Sequence, residues 1–176
     1  MKLLSTLAIA MFLPTAVLAQ AAAQAAEGSA VPQDALDTLP EDVPAEAVQD
    51  EVGGLLVLDA AEADIDSFLW VLRPLVIFAN TPADPAFQQQ LAEILERAEE
   101  FETRDVVVIT DTDPGSNSSA RQRLRPRGFM LAIIDKDGEV KQRRPSPRSA
   151  RELMAVIDRF PLRRQEMLER RPSGRD

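Results

Sequence analysis

Two short apolar runs on either side of a long amphipathic segment constrain the fold more than any other feature of this chain. Residues 75–79 (LVIFA) and 105–110 (DVVVIT) are short, rich in β-branched residues and bounded by turn formers, as is typical of buried strands. Between them, apolar residues recur at helical spacing from Phe87 to Phe101. Strand, helix and strand in this order predict a parallel βαβ unit with a right-handed crossover.

The flanking segments add further strands and helices to this unit. Residues 55–58 predict a first strand, 129–134 a third buried strand and 139–143 a half-exposed edge strand entered through a tight turn. A capping box at Ser149 and an apolar stripe predict a helix over 149–160. These elements predict an α/β fold with a mixed central sheet between layers of helices.

A further helix is predicted between the first two strands, over residues 60–72. Asp59 and Glu62 have the spacing of a capping box, and apolar residues follow at helical intervals. Phe68 and Trp70 fall in this stripe, which favours a position in the core for both; contact of these side chains with a partner is the alternative.

The closing hairpin carries a family resemblance. Residues 133–140, IIDKDGEV, resemble the hairpin of peroxiredoxins and related thiol reductases, and the order of elements is similar to that of the thioredoxin-like fold. The resemblance implies a peroxiredoxin-like arrangement of three layers.

A narrower resemblance covers residues 55–168. It points to a thioredoxin-like domain of unknown function in bacterial secreted proteins, which animal sushi-repeat and related extracellular matrix proteins share. This resemblance implies no activity. The segments that carry it are FLW at 68–70, Arg73, VIFA at 76–79, QQQL at 88–91 and PLRRQEM at 161–167.

The fold resemblance also marks where a thiol would lie. In thioredoxins the cysteines occupy the loop between the central strand and the long helix, and a cis-proline precedes the third main strand. Pro126 is the candidate for that proline, one residue early.

No cysteine occurs in the chain, so thiol exchange and peroxidase chemistry are excluded and we expect a redox-inactive domain. The equivalent loop here contains Asn80, Thr81, Pro82, Ala83, Asp84 and Pro85.

The first 19 residues read as a secretory signal peptide. Lys2 precedes an apolar stretch over residues 3–18, and small residues at 17 and 19 suit cleavage after Ala19. A retained membrane anchor is the alternative, but the run is short for a span and contains Pro14. We therefore expect a periplasmic or secreted protein that does not span the membrane after cleavage.

Composition divides the mature chain into three parts. Residues 20–52 are rich in Ala, Gln, Glu, Asp and Pro, which predicts a disordered acidic linker. The thioredoxin-like domain is expected over 53–170, followed by a disordered tail at 171–176.

Charge is distributed unevenly along the chain. Residues 3–72 hold 12 acidic residues and no basic one, whereas residues 104–176 hold 17 basic and 11 acidic residues. Arginine clusters suit an anionic partner such as a phospholipid headgroup, lipopolysaccharide or an acidic protein face; the alternative is a solvated surface. A nucleic acid partner is not expected, because the chain is acidic overall and poor in aromatics. The candidate arginines are Arg121, Arg123, Arg125, Arg127, Arg143, Arg144, Arg148 and Arg151.

Carboxylates are the remaining candidates for catalysis. Asp84, Asp111 and Asp113 follow predicted strands, at the edge where α/β sheets place ligands, but their spacing specifies no acid–base pair. Residues 111–117 resemble a calcium loop, yet Pro114 and the missing downstream Glu depart from the EF-hand pattern, so a plain turn is expected. No metal or cofactor is predicted.

The sequence thus favours a non-catalytic binding module that recognises an unidentified partner through the arginine-rich edge, the loop at 80–85, or both. One alternative is an anion or lipid-headgroup binder of the cell envelope, and another is a carboxylate- or metal-dependent enzyme. A chaperone-like holdase would need an exposed apolar patch, which the pattern does not predict.

Overall fold

A computed structural model of the protein describes residues 48–170. The predicted signal peptide, nearly all of the predicted linker and the predicted tail lie outside the described residues. The elements are β1 (Val48–Val52), β2 (Leu55–Asp59), a 3-10 helix (Ile65–Phe68), β3 (Arg73–Phe78), α1 (Pro85–Leu95), α2 (Ala98–Glu102), β4 (Val106–Asp111), α3 (Ser119–Leu124), β5 (Met130–Ile134), β6 (Val140–Arg144), α4 (Ala150–Ile157) and α5 (Pro161–Glu169).

One mixed sheet of six strands organises the domain, in the order β1-β2-β4-β3-β5-β6. The β2, β3 and β4 strands are parallel, while β1, β5 and β6 each run antiparallel to their neighbours. A parallel βαβ core closed by an antiparallel hairpin is the thioredoxin-like arrangement, so the predicted fold class is confirmed.

A hydrophobic core lies on each face of the sheet. Along β3, Leu75 and Ile77 join the core beneath α1, α2 and α4, while Val76 and Phe78 join the core beneath the 3-10 helix and α3. Both sets are fully buried, which is why this strand reads as a continuous apolar run. The result is three layers, with the sheet in the middle.

The sheet begins upstream of the predicted boundary at residue 53. Gly53 and Gly54 have φ values of +56° and +79°, as a two-residue hairpin turn of type I′ requires. This turn folds β1 antiparallel onto β2. The glycine pair is therefore a turn inside the domain rather than its start.

The predicted helix over 60–72 is wrong. Asp59 accepts a 2.8 Å hydrogen bond from the Ala61 N–H within a turn, and helical structure is confined to the short 3-10 segment capped by Asp64. The chain then turns sharply at Trp70, whose φ is +66°. A left-handed residue ends a right-handed helix, so the apolar stripe does not continue to residue 72.

Smaller differences affect the other elements. The long helix divides at Arg97, where φ is −130°, into α1 and α2, although Phe101 remains fully buried. Pro126 is trans, since the described residues contain no cis peptide bond. The capping box at Ser149 and Glu152 is present as predicted. None of the helices within residues 48–170 has the length and apolarity to cross a membrane.

Candidate functional site

A buried arginine organises the edge of the sheet where β3 begins. Arg73 is the first residue of β3, and its side chain is fully buried. Its Nε donates to Oδ1 of Asp135 at 2.7 Å, one Nη donates to the Arg104 carbonyl at 2.9 Å, and the other donates to Oε1 of Glu166 at 2.8 Å. Arg73 thus joins β3, the end of β5 and α5 through one side chain.

Further charges surround this arginine and complete a network. Lys136 Nζ lies 2.8 Å from Asp105 Oδ2 and 3.2 Å from Glu166 Oε1, and Arg170 pairs with Asp105 at 3.1 Å. Burial raises the pKa of Glu166, but the hydrogen bond and charge of Arg73, with Lys136 beside them, outweigh burial and lower this pKa to about 2.

The pKa of Arg73 itself moves the other way. Burial lowers it, but the hydrogen bonds and charges of Glu166 and Asp135 outweigh burial and hold it above its ordinary value. Arg73 and Glu166 therefore both stay charged at neutral pH. Two groups that keep their charge at neutral pH stabilise a shape and are poorly suited to proton transfer.

Next to this network, three consecutive apolar side chains lie on the surface. Leu69, Trp70 and Val71 are 39%, 69% and 44% exposed, and we refer to them as the Trp70 loop. Phe68 lies in the core, the favoured position, whereas Trp70 does not, because its side chain is exposed. The same residues form an exposed apolar patch that the sequence pattern did not predict.

Backbone contacts hold the Trp70 loop in place. The Trp70 N–H donates to the Lys136 carbonyl at 2.7 Å, and the Arg73 N–H donates to the Asp105 carbonyl at 2.6 Å. Leu69 lies against the β5–β6 turn, where a Cβ added to Gly138 would approach Leu69 Cδ2 to 2.6 Å. A non-glycine residue in the left-handed region costs roughly 1–2 kcal/mol. The fold bears this strain while it leaves the indole in solvent.

The sequence contains a signal for this loop that periodicity alone did not reveal. Residues 68–72 read FLWVL, five apolar residues in succession. An amphipathic helix points consecutive residues in different directions, so it cannot hide all five on one face. At least part of residues 68–72 must therefore be exposed or lie outside a helix.

The loop equivalent to a thiol motif is a capped helix entrance. Asp84 accepts hydrogen bonds from the N–H groups of Ala86 at 2.8 Å and Phe87 at 3.4 Å, and Gln88 Nε2 donates to the Pro82 carbonyl at 3.3 Å. Asn80, Thr81, Pro82 and Pro85 are exposed. Asp84 is therefore engaged as the N-cap of α1.

An internal ion pair fills the carboxyl edge of β3 and β4. Arg121 donates to Asp111 Oδ1 through Nε at 3.0 Å and Nη2 at 2.5 Å, and also to the Ala79 carbonyl at 3.0 Å. Its guanidinium lies 5.6 Å from the centre of the Phe78 ring. Ser118 Oγ donates to the other Asp111 oxygen at 2.5 Å. Both oxygens of this buried carboxylate are thus bound by internal donors.

Asp113 forms the predicted turn. Its Oδ1 accepts a 2.8 Å hydrogen bond from the Gly115 N–H, and its carbonyl accepts from Ser116. Within residues 48–170, no three acidic side chains are close enough together to hold a metal ion.

The eight candidate arginines do not form one surface. In β6, Arg143 is paired with Ala132 of one core and Arg144 with Leu131 of the other, so the two arginines point to opposite faces of the sheet. Arg143 Nη1 donates to the Leu124 carbonyl at 3.1 Å on the α3 side.

The other arginines follow this division. Arg123 also belongs to the α3 side, where it pairs with Asp66 and donates to the Gly138 carbonyl. Arg125 and Arg127 are exposed at the end of α3. On the other face, Arg144 and Arg148 line a concave pocket, whereas Arg151 does not line it. Arg159, which is not among the eight candidates, also lines this pocket.

Comparison with known proteins places the described residues within a family. Residues 64–166 match a domain of unknown function (DUF4174). The matched segment runs from Asp64, which caps the 3-10 helix, to Glu166, which pairs with Arg73. No curated protein matches the chain.

Solved structures similar to this chain include peroxiredoxins. The reduced 2-Cys peroxiredoxin of Plasmodium vivax is 12% identical, with 62% of this chain and 86% of that chain covered and a TM-score of 0.48. The mitochondrial 2-Cys peroxiredoxin of Plasmodium falciparum is 16% identical, with 65% and 86% covered and a TM-score of 0.45. AhpC of Mycobacterium tuberculosis is 12% identical, with 68% and 84% covered and a TM-score of 0.44.

Proposed function

The chain belongs to the family of this domain of unknown function (DUF4174), and we propose that it is a redox-inactive, non-catalytic binding module that contacts a protein partner through the Trp70 loop. The observation that carries the proposal is the state of Trp70: its side chain is 69% exposed while its backbone is held at a φ of +66°. A strained backbone that holds a large aromatic side chain in solvent contributes little to the stability of the fold. We therefore infer that the exposed indole serves to contact a partner.

The surroundings of Trp70 resemble a contact surface for a protein. Tryptophan is enriched among the residues that dominate binding energy, and such anchors sit in an apolar centre ringed by polar groups. Leu69 and Val71 extend the apolar centre. Lys136, whose carbonyl binds the Trp70 N–H, brings charged groups of the Arg73 network close to the loop. The partner is expected to offer an apolar cleft with polar edges.

The contacts of the candidate carboxylates support a non-catalytic role. The chain has no cysteine or histidine. Asp111 is bound by Arg121 and Ser118 at the edge where α/β sheets place ligands, and Asp84 caps α1. These contacts favour binding over the carboxylate enzyme considered from the sequence.

Crosslinking from position 70 tests the proposal. A photoactivatable aromatic residue at position 70 of the mature protein should give a discrete protein adduct in an extract of the source cells. The adduct should still form when irradiation is done at high salt, because salt screens charged contacts but not an apolar one. The matched control carries the same residue at Gln89, which is exposed on α1. Equal adduct patterns from both positions, or no adduct from position 70, would contradict the proposal.

The proposed location is the periplasm or the extracellular space. This proposal rests on the apolar N-terminal stretch behind Lys2 and on the small residues before Gln20. Fractionation of expressing cells with N-terminal sequencing tests it, because export predicts a soluble envelope protein that begins at Gln20. Recovery of an uncleaved chain with the cytoplasm would refute it.

A further inference from the structure

A second candidate site lies on the opposite side of the edge hairpin from α3, between β6 and α4. Side chains of both elements enclose a concave pocket of about 250 Å³. This volume is below the roughly 300–1,000 Å³ typical of pockets for drug-sized ligands, so it suits a small ligand. The charged residues that line it are Arg144, Arg148, Glu152 and Arg159.

The charge of this pocket is positive and incompletely compensated. Three guanidinium groups face one carboxylate, that of Glu152, which leaves two positive charges. Glu152 Oε2 is hydrogen-bonded to the Ser149 N–H at 3.3 Å in the capping box, and its Oε1 lies 3.7 Å from Arg148 Nη1. The Glu152 carboxylate is therefore used mainly to cap the N-terminus of α4.

Donors of the arginines remain available. Arg148 Nε is buried and has no hydrogen-bond partner among the described residues. The Gln142 amide is oriented with its oxygen towards Arg144, which lies two residues further along β6. In this orientation the oxygen accepts hydrogen bonds from Nε and Nη2 of Arg144 at 2.5 Å and so holds that guanidinium in place. Within residues 48–170, the Arg159 side chain has no hydrogen-bond or ion-pair partner. A buried donor without an acceptor is unfavourable unless a ligand or water supplies one.

We propose that this pocket binds a phosphate group, either as a free phosphate monoester or as the headgroup of a phospholipid. Arginine presents a planar fork of donors that matches phosphate oxygens. A phosphate monoester carries about −1.5 to −2 charges near neutral pH, which matches the two uncompensated positive charges. Leu153 and Val156 provide an apolar wall for the organic part of the ligand.

Titration with inorganic phosphate and phenyl phosphate at constant ionic strength tests this site. The readout is the NMR signal of the arginine Nε–H groups, and saturable shifts are expected for Arg144, Arg148 and Arg159. Phenyl phosphate should bind more tightly because it also contacts the apolar wall. The double variant R144Q/R159Q should weaken binding by about tenfold or more.

The variant R151Q is the matched control, because Arg151 is exposed on the same helix but does not line the pocket. It should bind phosphate as the wild type does. Shifts that do not saturate, or an equal loss of binding in R151Q and R144Q/R159Q, would overturn the proposal.

Vesicles distinguish the two sources of phosphate. Co-flotation with phosphatidylcholine vesicles that contain phosphatidic acid, lost in R144Q/R159Q and kept in R151Q, would identify a lipid headgroup. Saturable binding of phenyl phosphate without co-flotation would identify a soluble phosphate monoester. This site is separate from the Trp70 loop, so a failure here leaves the crosslinking result unaffected.

Discussion

The Nε atom of Arg73 donates a 2.7 Å hydrogen bond to Oδ1 of Asp135, and both side chains are fully buried although 62 residues separate them in the chain. Within the part of the chain that the structure describes, Asp135 Oδ2 has no hydrogen-bond partner. The buried carboxylate therefore depends on Arg73 for compensation, and the same arginine binds Glu166 on α5. This pair fixes the end of the sheet from which the Trp70 loop projects.

Replacement of Arg73 should destabilise the domain strongly. In R73M the carboxylate of Asp135 stays buried without its counter-ion, and removal of one partner of a buried pair typically costs about 3–5 kcal/mol. Urea unfolding of wild type and variant measures this loss. The control is R97M, because Arg97 pairs with Glu100 on the exposed surface, where such pairs contribute about 0–1 kcal/mol. Similar losses in R73M and R97M would contradict the role of Arg73.

The pH dependence of stability should reveal Glu166. Its pKa is about 2 in the folded protein against an ordinary value of 4.5. A group whose pKa is lower in the folded state stabilises the fold above its unfolded pKa, and this contribution disappears as the pH falls from 4.5 towards 2. Because Glu166 is partly exposed, we expect only about 1–2 kcal/mol.

The variant E166Q isolates that contribution. Its free energy of unfolding should lie below that of the wild type at neutral pH, and the two should converge as the pH approaches the folded pKa. The measurement is chemical unfolding across this pH range at constant ionic strength. A constant difference between the two proteins across the range would refute the assignment.

Gly138 and Leu69 should be energetically coupled. Gly138 has a φ of +78°, and an added Cβ would lie 2.6 Å from Leu69 Cδ2. G138A should therefore cost about 1–3 kcal/mol through backbone strain and the clash. In the L69A background the clash is absent, so the cost of G138A should fall by about 0.5–1 kcal/mol. A double-mutant cycle of unfolding free energies tests this, and an additive cycle would mean that Leu69 is not seated on this turn.

The central strands are the part of the fold that the sequence predicts best. Leu75 to Ala79 and Val106 to Ile109 are buried on both faces, and such strands appear as unbroken apolar runs between turn signals. The element order around them then limits the topology to few arrangements. The Gly53–Gly54 turn was harder to place, because β1 is polar at its centre and depends on pairing with β2.

The candidate sites depend on contacts that no local pattern records. Arg73 donates hydrogen bonds to Asp135 and Glu166, which lie 62 and 93 residues away from it in the sequence. Arg159 reaches the pocket only because α4 packs beside β6, so it was missed among the other arginines. Helical spacing favours the core for Trp70 only if the helix continues to residue 72, and the left-handed backbone at Trp70 prevents this.

The stability of W70G should show whether the indole serves the fold. Glycine adopts the left-handed region without strain, which offsets its greater entropy in the unfolded chain. Since the Trp70 side chain is largely exposed, we expect the free energy of unfolding of W70G to lie within about 1 kcal/mol of the wild type. The control W70A keeps the backbone strain and should be less stable than W70G. A loss of about 3–5 kcal/mol in W70G, as for a core tryptophan, would contradict this.

The most direct test of the account is partner capture by W70G compared with the wild type under conditions in which both are folded. Each mature protein is immobilised, exposed to the same envelope extract at high salt and eluted, and the captured proteins are quantified. The account predicts that the protein crosslinked from position 70 is retained by the wild type and by the Q89A control but lost by W70G. Retention of that protein by folded W70G would show that the exposed indole is not the binding anchor.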